Sequence, residues 1–136
     1  MYKRQAPYSV PEATLKAAIK LPVGFTAGQK MAVILVPGTA VTGTETYTDN
    51  FVNILSDTST MEPVLLDVPD NLLDDIQINS EFVAYSMNYV SMMAKGKNVS
   101  VVTWSQGSID MQWALKYWPS TRAIVSDFVA ISPDIK

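Results

Sequence analysis

Neither cysteine nor histidine occurs anywhere in these 136 residues. The first absence excludes disulfides, thiolate metal sites and a cysteine nucleophile; the second removes the side chain most often used as a base near neutral pH. A zinc site would need carboxylates alone, so neither a metal nor any other cofactor is expected. Long apolar runs are missing too. None approaches the ~18 residues needed to span a bilayer, and no charged-then-apolar leader opens the chain. Positive charge is sparse: the formal net charge is −3 and no basic cluster exceeds Lys3 and Arg4, which gives no footprint for nucleic acid or an anionic membrane. Neutral small molecules suit such a chain better.

What is present describes an interior-rich globular protein, 48% hydrophobic and 17% charged, of a length that suits one domain. "MYKRQ" joins poorly to "APYSVPEATLKAAIK". It reads as a non-native extension, or as a dibasic processing site at Lys3 and Arg4, and is left out of the fold reasoning. At the other end the chain stops just after the apolar "FVAIS", which reads as a truncation.

Four apolar runs bounded by turn residues predict strands: "MAVILV" at 31–36, "PVLLDV" at 63–68, "VSVVTW" at 99–104 and "FVAIS" at 128–132. Roughly 25 to 30 residues separate them, enough for crossover helices and too many for hairpins. Between them, "DDIQINSEFVAYSMNYVSMMAKG" combines an acidic start, a helical stripe of Ile76, Val83, Met87, Val90 and Ala94, and a Lys95–Gly96 stop. "QGSIDMQWALKYW" is apolar nearly all round and predicts a buried helix ended by Pro119. "YTDNFVNILSD" predicts a short helix, and "PEATLKAAIK" a helix outside the sheet. The alternation predicts an α/β fold with a mainly parallel sheet and flanking helices.

Reactive groups in such sheets collect beyond the carboxyl ends of the strands, where "TWSQG" puts Ser105 at a strand-to-helix corner. A nucleophile elbow needs small residues two before and two after the serine; Thr103 and Gly107 keep half of that rule. The plainer reading is a serine that caps the helix. "LVPGTAVTGTETY", at the same end of the sheet, is either a turn or half of an oxyanion hole.

"VPGTAVTG", "QINSEF", "TWSQG", "QWALKYWPSTR" and "ISPD", in this order and at these intervals, resemble the Candida antarctica lipase B-like family of α/β-hydrolases, from about Ala6 onward. The resemblance implies the N-terminal portion of an α/β-hydrolase, with lipase or carboxylesterase activity on carboxylic esters such as acylglycerols, a role in lipid metabolism and secretion. Residues 6–136 would be an incomplete domain. Position by position it implies Ser105 as nucleophile, Thr39 (N–H and hydroxyl) and Gln106 (N–H) as oxyanion donors, and Trp104 as the floor of an alcohol pocket with Val41 and Thr46 nearby. Asp134 would sit on the acyl side, or be only a loop carboxylate. Partners would be a small ester or lipid and a transient lipid interface; oligomeric state is left open.

The chain departs from the family where Ala40 and Ser108 replace glycines, and where no Cys allows its early disulfide. The family's catalytic Asp and His lie farther along than Lys136, and Asp134 should not be promoted in their place. Lys95, Lys97, Lys116 and Lys136 are expected away from Ser105, and Asp110 to be a helix-surface charge. The parent protein is therefore expected to be an active serine hydrolase and this chain inert. A different acyl-transfer enzyme on the same fold, or a non-catalytic α/β module that binds a ligand or partner, is the competing reading.

Overall fold

The computed structural model describes residues 5–133. Helix α1 (Glu12–Ala17) leads into the short strand β1 (Ile19–Lys20), followed by β2 (Met31–Val36), α2 (Gly43–Tyr47), α3 (Phe51–Ser56) and β3 (Met61–Leu66). An irregular turn over Pro69–Leu72 precedes α4 (Ile76–Met93), and then come β4 (Val99–Trp104), α5 (Gly107–Tyr117), α6 (Pro119–Ile124) and β5 (Val125–Ile131). The five strands order as β1-β3-β2-β4-β5. All neighbours are parallel except β1, which pairs antiparallel through Ile19↔Leu66 and Lys20↔Leu65.

Both central strands fall where their apolar runs place them, and their alternation divides the interior in two. Ala32, Ile34 and Val36 of β2, with Val99 and Val101 of β4, face a large core built with α4, α5 and Trp118. Val33, Leu35 and Val102 face a smaller core under Tyr47 and Leu55. A strand covered on both faces has no polar side, which is why these two runs are continuous in the sequence.

Several expectations shift. β3 starts two residues earlier than predicted because Pro63 sits inside it. That is tolerated because β1 covers only Leu65 and Leu66, leaving β3 an edge strand at Pro63. It ends at Leu66, beyond which the Asp67 N–H still donates to the Ala18 carbonyl at 2.9 Å while its carboxylate accepts the Thr44 N–H (2.8 Å) and hydroxyl (2.6 Å). "YTDNFVNILSD" covers the end of α2 and all of α3, with Asn50 capping the latter through a 2.6 Å bond to Phe51 N–H. Helix α5 is not buried all round: Gly107, Met111 and Ala114 face inward, whereas Gln112 and Lys116 are exposed. Gln5, assigned from sequence to the extension, accepts the Ser120 N–H at 2.8 Å. No helix among the described residues is long and apolar enough to cross a membrane.

One buried carboxylate fastens the amino-terminal segment to the domain. Glu81, fully buried on α4, accepts the N–H groups of Ser9 (3.0 Å) and Val10 (2.9 Å) and the Ser9 hydroxyl (2.7 Å). Truncating it removes these charge-assisted hydrogen bonds and empties its buried site on α4, while the freed donors of the exposed Ser9 and half-buried Val10 turn to water, a loss of about 2 kcal/mol. Glu81→Ala is expected to lower the urea-unfolding free energy by about that amount; a change below ~1 kcal/mol would show that the segment is held by other contacts.

Candidate active site

The strand order creates the site. β3 lies on one side of β2 and β4 on the other, so the chains leaving β2 and β4 diverge at a topological switch and open a crevice between them. Their approach is close. A Cβ on Gly107 would stand 2.4 Å from the Pro37 carbonyl oxygen, and one on Gly38 would stand 2.8 Å from the Trp104 ring. Both positions therefore require glycine.

Ser105 stands at this corner with φ +51°, a left-handed conformation that a non-glycine residue adopts only when its surroundings enforce it. Its N–H donates to the Ile131 carbonyl at 3.0 Å, and its own carbonyl accepts Ser108 N–H at 3.0 Å. The helix-cap reading fails here, because no side chain caps α5 and Gln106 occupies the cap position. Thr103 fits despite its bulk. It is fully buried and its hydroxyl meets that of Ser108 at 2.7 Å, so the two departures from the glycine pattern satisfy each other.

Thr39 and Gln106 come together across the crevice: the Thr39 hydroxyl donates to Gln106 Oε1 at 2.5 Å, and Gln106 Nε2 donates to the Leu72 carbonyl at 3.0 Å. Neither the Thr39 nor the Gln106 N–H has a hydrogen-bond partner among the described residues. Val41, Thr46 and Trp104 line one cavity of about 430 Å³ with Glu45, Asn50 and Phe51. Asp134 lies outside the described residues.

Sequence reasoning missed two parts of this region. Asp70, Asn71 and Leu72 all have positive φ, and the last presents its carbonyl to both Gln106 and the buried Asn79 (3.2 Å). The polar string "DNLLDD" is the only hint of that turn. The other is Asp110, expected on the helix surface and in fact fully buried, with no partner for either carboxyl oxygen. Its place was readable: three residues after Gly107 and four before Ala114, it belongs to the inward stripe of α5. Burial pushes its pKa up to about 7.

Over 95% of its length the chain is 30% identical to lipase B of Pseudozyma antarctica, of which it covers 37%. It superposes on the crystal structure of Aspergillus fumigatus lipase B with a TM-score of 0.90 at 52% identity, covering 96% of this chain and 31% of that one. It has the lipase B-like α/β-hydrolase fold. A mature Bacillus licheniformis lipase, 19% identical with a TM-score of 0.65 over 85% of this chain and 45% of that one, shares the fold. No family profile matches. The chain spans about a third of the length of the two lipase B relatives.

Two outcomes follow from the backbone and from Asp110. Ala40 adopts φ +65° and holds its N–H on the Asn71 carbonyl at 2.8 Å. Ala40→Gly should relieve that strain and stabilise the fold by up to about 1 kcal/mol; measured destabilisation would show that the loop tolerates alanine without strain. Folded Asp110 keeps its proton up to about pH 7 whereas the unfolded side chain loses it near pH 3.8, so stability falls as pH rises between those values. Asp110→Asn should flatten that slope, narrowing the difference in melting temperature between pH 4 and pH 8 by about 5 °C or more; an unchanged difference would mean that Asp110 is ionised in the fold.

Proposed function

We propose that the protein is a serine ester hydrolase of lipase type, acting on carboxylic esters such as acylglycerols through an acyl-enzyme on Ser105. The observation that carries this reading is the pair of unengaged N–H groups, on Thr39 and Gln106, flanking the strained turn of Ser105. Two preorganised donors without a protein acceptor are what a developing oxyanion needs, and each such donor is worth about 10²–10³ in rate. The Thr39 hydroxyl can add a third by rotating from Gln106 Oε1 to that oxygen.

In this reading the Ser105 oxygen attacks the ester carbonyl, the tetrahedral oxygen rests on the Thr39 and Gln106 N–H groups, and the leaving alcohol occupies the cavity over Trp104. A serine hydroxyl needs a base to lose its proton, and the chain has no histidine. The base and the acid that orients it are supplied from outside these residues, and the 136-residue chain alone is inert. Action outside the cell, at a lipid surface, fits the lipases it resembles.

A chimera tests this directly. Residues 6–133 replacing the matching segment of Aspergillus fumigatus lipase B should hydrolyse p-nitrophenyl butyrate, and Ser105→Ala in the chimera should lower kcat at least ~10³-fold. The isolated chain should show no Ser105-dependent turnover. A folded but inactive chimera would favour the non-catalytic binding module.

A further inference from the structure

The cavity over Trp104 has an unusual combination of walls. Trp104 and Phe51 offer aromatic surface, Val41 and Ile131 are aliphatic, and Glu45 supplies a carboxylate. Glu45 is fixed there by a reciprocal helix cap. Its N–H donates to Thr42 Oγ1 and its carboxylate accepts the Thr42 hydroxyl, both at 3.1 Å. Among the described residues, none of those lining the cavity with it is a Lys or Arg. Between Met31 and Ala94 the sequence has nine Asp and Glu and not one Lys or Arg, while Lys30, Lys95 and Lys97 sit where β2 and β4 begin, at the opposite end of the sheet.

We propose that this pocket selects a cationic alcohol group, an alkylated ammonium of the amino-alcohol type, on the ester that Ser105 attacks. The proposal rests on the Ser105 reading and names the substrate class of that same site. An alkylated ammonium has an apolar shell around a positive charge and few or no hydrogens to donate. Aliphatic contact, an exposed indole face and one carboxylate answer each of those properties, and tryptophan is the strongest of the aromatic rings for a cation. A neutral alkyl group would use the walls but leave Glu45 without a role toward the ligand.

Butyrylcholine and its uncharged isostere 3,3-dimethylbutyl butyrate separate the charge from the shape. Titrated into the 136-residue chain and followed by NMR shifts of the Trp104 indole, butyrylcholine is expected to bind about fivefold more tightly at low salt. Glu45→Gln preserves the cap and removes the charge, and should bring the ratio near one. In the unmodified chain the ratio should also shrink between about 20 mM and 500 mM NaCl. A ratio near one at low salt, one that Glu45→Gln leaves unchanged, or one indifferent to salt would overturn the proposal. These affinities do not depend on catalysis, so a cation preference in the chain beside an inactive chimera would refute the Ser105 reading alone, and an active chimera with no preference would refute this one alone.

Discussion

Everything at the candidate site depends on how closely the first turn of α5 approaches the end of β2. The Pro37 carbonyl oxygen occupies the space that any side chain at position 107 would fill. That contact sets the depth of the crevice and places the β2 loop beside the elbow. Thr39 and Gln106 can then meet across it, and Trp104 can lie under Gly38. A methyl group at 107 would push the two loops apart, and under the proposed role of Ser105 a displacement of even ~1 Å from the Thr39 and Gln106 N–H groups would cost about 10²-fold in rate.

The polar interactions around this contact are of two kinds. Asn79, Gln106 and the Leu72 carbonyl form a connected set that ties the start of α4 to the elbow, and Thr103 and Ser108 close on each other inside the same helix junction. Asp110 has no such partner, so its burial is a cost unless it keeps its proton. One turn beyond Gln106 on the same helix, it couples the stability of the elbow's support to pH without touching the crevice.

The sequence was most legible where both faces of a strand are covered. Continuous Val, Ile and Leu left no room for another reading of β2 and β4, and Ser105 followed from the end of the latter. It was least legible where tertiary contacts override local pattern. β1 is two residues long and exists only because β3 offers it an edge. The aspartates were misleading as well: Asp67 lies inside a predicted strand but bonds to Thr44, and Asp110 reads as a surface charge because charges seldom go inside. Thr39, Val41, Thr46, Trp104 and Gln106 were named from resemblance, and the pattern of apolar residues alone would not have brought them together. Glu45, on the same cavity, did not stand out in the sequence, and in the fold its backbone and carboxylate both serve the Thr42 cap of α2.

The bond from Ser105 N–H to the Ile131 carbonyl has a consequence for the order of assembly. The residue with the strained backbone is anchored through its N–H to β5, 26 positions downstream. During synthesis β2, β3 and β4 can pair while the corner after Trp104 is still free to relax to an ordinary turn. Pairing of β5 with β4 supplies that acceptor, so the hydrogen bond that holds the left-handed turn of Ser105 can form only once the chain has been made as far as Ile131.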